Sequence, residues 1–583
     1  MPSSIVAADS LLAVDVGTVT TRAVLFDVVE GCYRFVAAGQ APTTADAPFK
    51  DVSEGVRQAV DNLQAVTGRN FLSDDHRLIL PAQEGHGVDS FAASLSAGPA
   101  IKTVVVGLLG DVSVESVQRL ARSTYARVVD TISLNDRRKP HEQIDSLLQI
   151  HPDLVLISGG TEEGAIRSTQ RLVETVSLIC RLLPEEKRPV VLFCGNQKLT
   201  GLVKNELQPL AASLSISPNI RPTLEVEDLG PARLALTELY SQIRRTQMLG
   251  VDELNAWASG TLIPTSYAMA RIIRFLSQDS SKGLLGVDVG AGHTTVAAGF
   301  NGDLTLGVYP QLGLGEALSG LLRYTSLEEI VKWLPLDIPA ETVRDYIYQK
   351  SLYPASLPAT PEDLAIEQAV ARQALYLAFN SAAKDFSRGA RRSAPGQTPY
   401  FEPILAAGSV ITRAPTVGQS LLILLDAIQP MGITTVIVDQ NNLLPALGAA
   451  AARSPILPVQ VFESLAFRYL ATVVTPSVTA RLGTPILHAR LIYQNGNETR
   501  VEVKQGALEV LPLSPGQAGR LYLQPLHHAD VGFGSGHTRE DGLPISGTVL
   551  GVVIDARGRP LRFPADHNRR RELIKKWLWT LGG

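Results

Sequence analysis

Apolar and polar positions along the chain alternate most clearly in one stretch near the start. Four apolar residues lead into Asp15, Gly17 follows two positions later, and a second apolar run extends from Ala23 to Phe26. The pattern predicts a β-hairpin that turns at Gly17. It returns over residues 283–298, where an apolar run reaches Asp288, then Val289 and Gly290, with Ala291, Gly292, His293, Thr294 and Thr295 before the next apolar run. The two turns lie about 270 residues apart, too far for a solenoid repeat. They predict a duplicated, two-lobed architecture whose hairpins face each other.

The segments between and beyond the hairpins fill in an α/β chain. Residues 1–10 read as a loose start. A helical pattern covers 51–63 without a capping box, 77–80 reads as a short strand, and the small residues of 83–97 give no assignment. From 101 to 204, strands over 102–109, 127–131, 153–157 and 189–194 alternate with helices over 112–123, 141–149 and 165–183, which argues for a mostly parallel sheet. The Gly159-Gly160 turn sits at a strand's carboxyl end, where open α/β sheets take ligands. It reads equally as a strand-to-helix turn needing positive φ, with Glu162 and Glu163 as first-turn acids. Helices over 231–247 and 265–276 lead to the second hairpin, followed by strands over 296–300 and 304–309 and a glycine-rich stretch at 311–317. Helices dominate 325–390, and 388–397 reads as a basic surface loop. A strand then runs into Ala407, Gly408 and Ser409. Another over 434–438 ends at Asp439, and a helix of small residues follows over 442–451. From 455 onward, short β-rich runs between Gly, Pro and Asn turns predict an antiparallel β domain closed by a helix over 569–579. Within it, residues 529–536 form a glycine-rich run, and Asp555 and Arg557 flank a turn as either a functional pair or a structural salt bridge. The expected domains are 1–280, 281–454 and 455–583.

Composition narrows the function classes. With 583 residues, 45% hydrophobic and 19% charged, and a mean hydropathy of +0.11, the chain reads as a soluble, multidomain α/β protein. A net charge of −4 offers no basic footprint for nucleic acid. The three cysteines, Cys32, Cys180 and Cys194, form no Cys-x-x-Cys pair, so neither a disulfide framework nor a zinc site is expected. The start lacks a signal-peptide pattern, and no apolar run reaches the ~18 residues of a membrane span. The expected location is the cytoplasm, with no membrane partner.

The chemistry gathers at the turns. Carboxylates at Asp15 and Asp288 stand at strand ends, where they could hold a divalent cation through water. Bare backbone N–H groups at the glycine turns suit an anionic phosphate. The small residues Ala407, Gly408 and Ser409 would let an adenine or ribose lie on the backbone.

In that order, these stretches resemble the actin/hexokinase/heat-shock-chaperone ATPase superfamily. Its first phosphate loop is similar to Asp15-Val-Gly17-Thr18 with Thr20 and Thr21, and its second to Asp288 through Thr295. Its adenosine motif is similar to Ala407-Gly408-Ser409 through Arg413, and its second connecting helix to Pro445 through Ala450. The resemblance implies a duplicated ribonuclease H-like core that binds ATP and Mg2+ between its lobes. One departure is Ala407, where chaperones of this group carry a glycine; it implies a weaker adenine contact. With the runs 457–463, 529–532 and 554–561 added, nearly the whole chain resembles the MutL (GlmL) glutamate mutase accessory family, which is distinct from the mismatch-repair protein of that name. That resemblance implies a slow Mg-dependent ATPase acting as a reactivating chaperone on an adenosylcobalamin-dependent mutase. Asp15 and Asp288 would hold the hydrated metal, and Gly17, Thr18, Gly290 and Ala291 would cradle the phosphates. Thr18, Asp288 or His293 would orient the attacking water. Hydrolysis would open the lobes and work on the partner through the β domain. The chain lacks an Asp-x-His-x-x-Gly pattern, so it is not expected to bind cobalamin itself. Two other readings stay open: a small-molecule kinase of the same fold, with Asp130 or Asp439 as base, and a nucleotide-regulated scaffold without turnover.

Overall fold

The computed structural model describes residues 9–583 except 163, 259, 261, 279, 388, 389, 393 and 395. Most of the expected loose start, Glu163, and four positions of the basic loop therefore lie outside the described residues. The chain forms two compact units, one from residues up to Gly31 together with Val36–Ala268, the other from Cys32–Phe35 with Met269–Gly583.

Each unit is built on the same five-stranded arrangement. In the first, β1 (Leu11–Val16), β2 (Thr20–Val29), β3 (Cys32–Pro42), β4 (Ser90–Leu95) and β5 (Ile263–Pro264) lie in the order β3-β2-β1-β4-β5. In the second, β6 (Gly283–Val289), β7 (Thr294–Phe300), β8 (Asp303–Tyr309), β9 (Phe401–Ala407) and β10 (Gly432–Val438) lie in the order β8-β7-β6-β9-β10. The orientations match as well. β1 and β6 run antiparallel to β2 and β7, and parallel to β4 and β9. The duplication is the one expected from the hairpins, and the strand order is that of the ribonuclease H-like, actin-like core implied by the resemblance. The apolar runs explain it: all six residues of β1 are buried, as a central strand covered on both faces requires.

The helix Val52–Thr67 packs on the first sheet through Val56, Ala59, Val60 and Leu63. Asp51 caps it by accepting from the Ser53 N–H at 2.9 Å, and Gly68 ends it in the left-handed region at φ 70°. Inserted after β4 is a separate parallel sheet of Ile101–Gly107, Ala126–Ser133, Leu154–Ile157, Val190–Phe193 and Ser213–Ile216. Its own core includes Val104, Val106, Ile157, Val173, Val191 and Phe193.

The residues after 455 divide between two sheets. Arg468–Thr475, Val552–Asp555 and Leu508–Leu511 continue the second unit's sheet beyond β10. Pro485–Tyr493, Glu498–Lys504, Ala518–Pro525 and Leu543–Ser546 form the C-terminal antiparallel sheet. The segment 77–80 forms no strand; Leu78 makes only an isolated bridge with Leu72. Among the described residues, no helix is long and apolar enough to cross a membrane.

Candidate functional site

In the first unit, β1 carries Asp15 to the edge of its turn, and the carboxylate is almost fully buried at 6% exposure. Ser94 of β4 donates to Asp15 Oδ1 at 2.7 Å, and Thr265, just beyond β5, donates to the same oxygen at 2.6 Å. A neighbouring strand and the start of the helix Thr265–Leu276 thus fix one side chain. A buried phenol pair lies nearby: Tyr240 donates to the Leu95 carbonyl at 2.8 Å, and the Tyr125 oxygen accepts from the Ser266 N–H at 2.9 Å. Burial, then Tyr240, and further out the charge of Asp15 push the Tyr125 phenol well above its usual range.

The Gly17 turn is braced from outside. Gly17 N–H meets the Thr20 carbonyl at 3.1 Å, and a Cβ at Gly17 would sit 2.7 Å from that same oxygen. Thr43 donates its hydroxyl to the Gly17 carbonyl at 2.7 Å and its N–H to the Val19 carbonyl at 2.9 Å. Thr21 is fully buried and shares a 2.9 Å hydrogen bond with Thr43, so its hydroxyl holds the turn. Thr18 and Thr20 are half-buried on the turn itself.

The second unit repeats the hairpin with different supports. Asp288 is half-buried and sits opposite Thr295 across the β6–β7 ladder. Thr295 Oγ1 is buried without a hydrogen-bond partner, an orphaned donor on the face it shares with Asp288. Gly290 N–H meets the His293 carbonyl at 3.0 Å, the same closure as at Gly17. The glycine-rich stretch after β8 lies along this turn: Leu314 N–H meets Gly290 O at 3.0 Å, and Gly315 N–H meets Ala291 O at 2.7 Å. Thr294 is fully buried and donates to Leu312 O at 2.7 Å, so its hydroxyl supports the turn as Thr21 does. Ala291 and Gly292 are half-buried, and His293 is 5% exposed rather than projecting into solvent.

The residues expected to take adenosine belong to the same unit. Ala407 is the parallel ladder partner of Asp288. Gly408 follows at φ 98°, with its Cα so near the end of β6 that a Cβ would lie 2.2 Å from the Val289 carbonyl oxygen. Ser409 is exposed. The structure therefore brings Asp288, Gly290–Thr294 and Ala407–Ser409 together in one unit, and Asp15, Gly17, Thr18, Thr20 and Thr21 in the other. Sequence reasoning missed Ser94, Thr265 and Thr43, short hydroxyl residues with no motif around them.

Within each unit, a carboxylate at a strand end beside a glycine turn, with an orphaned hydroxyl beside Asp288 in the second, fits contact with phosphate. Among the described residues, no group of three or more His, Cys, Asp or Glu forms a metal cluster. A hydrated Mg2+ needs only one or two carboxylates plus phosphate oxygens.

Other candidates resolve into structural roles. Asp439 accepts the Leu443 and Leu444 N–H groups at 2.8 and 2.7 Å, holding the start of the helix Leu443–Ala450. Asp130 is held by Arg138 and Ser146, each at 2.8 Å. The Gly160 turn is laced by Asn196 Nδ2 to the Thr161 carbonyl at 2.7 Å and Asn219 Nδ2 to the Gly160 carbonyl at 2.9 Å. Burial pushes the Cys180 thiol up to about 11 and the Cys194 thiol up to about 12, so both are inert packing residues.

A family model described as MutL protein matches residues 11–465, which span both hairpins and the Gly408 turn. The chain belongs to that family. A curated MutL-family relative, "Protein MutL" of Clostridium tetanomorphum, is 23% identical over 294 residues, covering 49% of this chain and 57% of the relative. The match thus spans little more than half of that relative's length. Solved structures overlap more loosely. A nucleotide-free acetone carboxylase is 12% identical with a TM-score of 0.31, covering 86% of this chain and 81% of that one. A nucleotide-free diol dehydratase-reactivating factor is 10% identical with a TM-score of 0.30, covering 76% and 99%. A glycerol dehydratase reactivase is 11% identical with a TM-score of 0.29, covering 76% and 100%. At these TM-scores the overlaps carry no residue roles from those proteins to this chain.

Proposed function

We propose that this MutL-family chain is an ATP-binding, slowly hydrolysing reactivating chaperone of an adenosylcobalamin-dependent mutase such as glutamate mutase. The observation that carries the nucleotide part is the recurrence of one device: a buried strand ending in Asp-Val-Gly, at the same place in the same strand order, in both units. The partner rests on family membership and on the resemblance of the loops to the glutamate mutase accessory family.

In this reading, the N–H groups at Thr18 and Ala291 bind the β- and γ-phosphates, with Gly292 and Thr20 shaping the turns. Those of Gly17 and Gly290, expected from the sequence to join them, instead close the turns onto the Thr20 and His293 carbonyls. Ala407, Gly408 and Ser409 receive the adenosine. Asp15 and Asp288 hold hydrated Mg2+, which when bound neutralises the phosphate charge. Thr18, Asp288 or His293 orients the water that attacks the γ-phosphorus as the bond to ADP breaks. Thr21 and Thr294 keep the turns in shape. The C-terminal antiparallel sheet, which phosphate chemistry does not require, serves the protein partner, and turnover drives release of a damaged cofactor there. The kinase reading loses its general base, because Asp439 and Asp130 are held in helix-starting and ion-pair roles.

The test is ATP hydrolysis by the full chain with Mg2+, beside the Asp15→Ala/Asp288→Ala double variant. Slow turnover without any small-molecule acceptor, lost in the variant while its far-UV spectrum is kept, is the expected result. Turnover that appears only on adding a hydroxyl compound would restore the kinase. Absence of both nucleotide binding and turnover would overturn the reading.

A further inference from the structure

The second unit has a cavity at the opposite end of its sheet from the nucleotide loops. It measures about 420 Å3 and is lined by Arg391, Arg392, Tyr400, His528, Asp530 and Ser535, among others. Tyr400 precedes β9 and Gly408 follows it, so the cavity and the adenosine turn lie a full strand apart, roughly 23 Å at ~3.3 Å per residue. The glycine-rich run at 529–536 and part of the basic loop meet here.

The lining is built. Asp530 Oδ1 accepts the Gly532 and Gly534 N–H groups at 2.7 and 2.9 Å, and Oδ2 accepts from the Tyr400 hydroxyl at 3.0 Å. Asp530 and Ser477 exchange both backbone hydrogen bonds, which ties the run to the chain beyond Arg468–Thr475. Gly432, at φ 70°, lets the Tyr400 ring and Gly532 close in; a Cβ there would lie 2.9 Å from the ring. His527 and His528 are both in the left-handed region, at φ 51° and 59°, a strained pair that presents His528 to the cavity. Ser535 donates to the His528 carbonyl at 2.8 Å, fixing this turn.

Among the described lining residues, the charge is one-sided. The Arg391 guanidinium lies 5.7 Å from the Tyr400 ring centre, and Arg392 gives one N–H to the Ala390 carbonyl at 3.3 Å. Each guanidinium carries five donors in a planar fork. Against these two cations stands Asp530, whose oxygens already accept three hydrogen bonds. We infer that this cavity binds the phosphate group of a small phosphate monoester. Two guanidinium forks and an imidazole on one cavity lining offer more donors than a carboxylate's two oxygens take up, enough for three phosphate oxygens. The volume falls in the ~300–1,000 Å3 range of small-molecule sites, far more than a bare phosphate fills, leaving room for an organic body.

The experiment is calorimetric titration of the full chain with ribose 5-phosphate, inorganic phosphate and ribose. Ribose 5-phosphate binds the wild-type chain and ribose does not. The Arg391→Ala/Arg392→Ala variant, altered at surface positions and expected to melt as the parent does, binds about tenfold more weakly or worse. Arg391→Lys/Arg392→Lys recovers part of the affinity, because the charge returns without the fork. The Asp15→Ala/Asp288→Ala variant binds as the parent does. Inorganic phosphate binding as tightly as the ester would support the anion site and remove the organic body. No binding to the wild-type chain, equal binding to the double-Ala variant, or loss of binding in the Asp15/Asp288 variant would each overturn the assignment.

Discussion

At the scale of single residues, Gly408 is a position where the second unit leaves no room for a side chain. Its φ of 98° with ψ 138° is a region that side chains avoid, and its Cβ position falls on the Val289 carbonyl. Gly408→Ala must therefore either rotate the turn or push β6 and β9 apart at the point where Asp288 pairs with Ala407. Backbone strain alone predicts a loss of about 1–3 kcal/mol in urea unfolding, with weakened ADP binding alongside. Gly201→Ala is the control: it lies in the helix Thr200–Leu207 with nothing near its Cβ, so the change should be neutral or stabilising by up to about 1 kcal/mol. If Gly408→Ala unfolds and binds ADP as the parent does, the turn does not shape the site. The motif around Gly408 was legible as small residues after a strand. Its contact with Val289 was not, because the partner lies more than a hundred residues earlier in the chain.

At the scale of elements, the Asp555–Arg557 pair proves to be part of a buried ion network. Arg372, on the helix Pro361–Ala383, meets Asp426, on the helix Val417–Ile428, at 3.0 Å. Arg557 reaches Asp426 at 2.7 Å and Asp555 at 2.8 Å, and Arg559 reaches Asp555 at 2.6 Å. The Arg557 guanidinium also stands 4.6 Å from the Trp577 ring centre of the C-terminal helix His567–Thr580. The network joins two helices, a strand end and the last helix, so it is a clamp within the second unit. Burial by itself would raise the Asp555 carboxyl, but the charges of Arg557 and Arg559 outweigh it and hold the group well below its ordinary 3.8. Its folded-state pKa is depressed, so its contribution is complete above that ordinary value and fades as pH falls below it. The melting temperature should drop as pH is lowered through about 4, and Asp555→Asn should flatten that part of the profile. At pH 7 the same variant leaves guanidinium charge buried without its counter-ion and should cost about 3–5 kcal/mol. A melting temperature unchanged by the substitution at pH 7 would mean that the network is not a clamp. Asp555 and Arg557 were visible two residues apart; Arg372 and Asp426 were not, since nothing local marks a helix charge as buried.

The same contrast runs through the strands. Both hairpins were legible because an apolar run broken by one glycine is a local signal. Strand β4 was not: Ser-Phe-Ala-Ala-Ser-Leu has no β-branched residue, and it becomes a strand by lying along β1, register Leu11 to Ser90 through Val16 to Leu95. Yet Ser94 on that strand is what holds Asp15. The supports of the site came from segments whose structure is set by their neighbours, while the turns themselves came from their own composition.

At the scale of the whole molecule, the residues after 455 matter to the core as much as to any partner. Arg468–Thr475 pairs with β10 along its full length, from Gly432 with Thr475 to Val438 with Arg468. Val552–Asp555 then lies parallel to Arg468–Thr475, and Leu470, Ala471, Val473 and Val553 are buried in the second unit's main core. A chain ended at residue 465, where the family match stops, would keep every nucleotide-facing residue proposed above. It would also strip β10 of its neighbour, exposing a long, apolar, unpaired edge of the kind that aggregates. It would lose Asp555 and Arg557 as well, leaving Arg372 and Asp426 without the rest of their network. We expect the shortened chain to be insoluble or to melt without cooperativity when expressed beside the full chain. A shortened chain that stays monomeric and unfolds cooperatively with the parent's ADP affinity would mean instead that the nucleotide core stands alone. The strands beyond 465 would then belong to the partner's side of the mechanism.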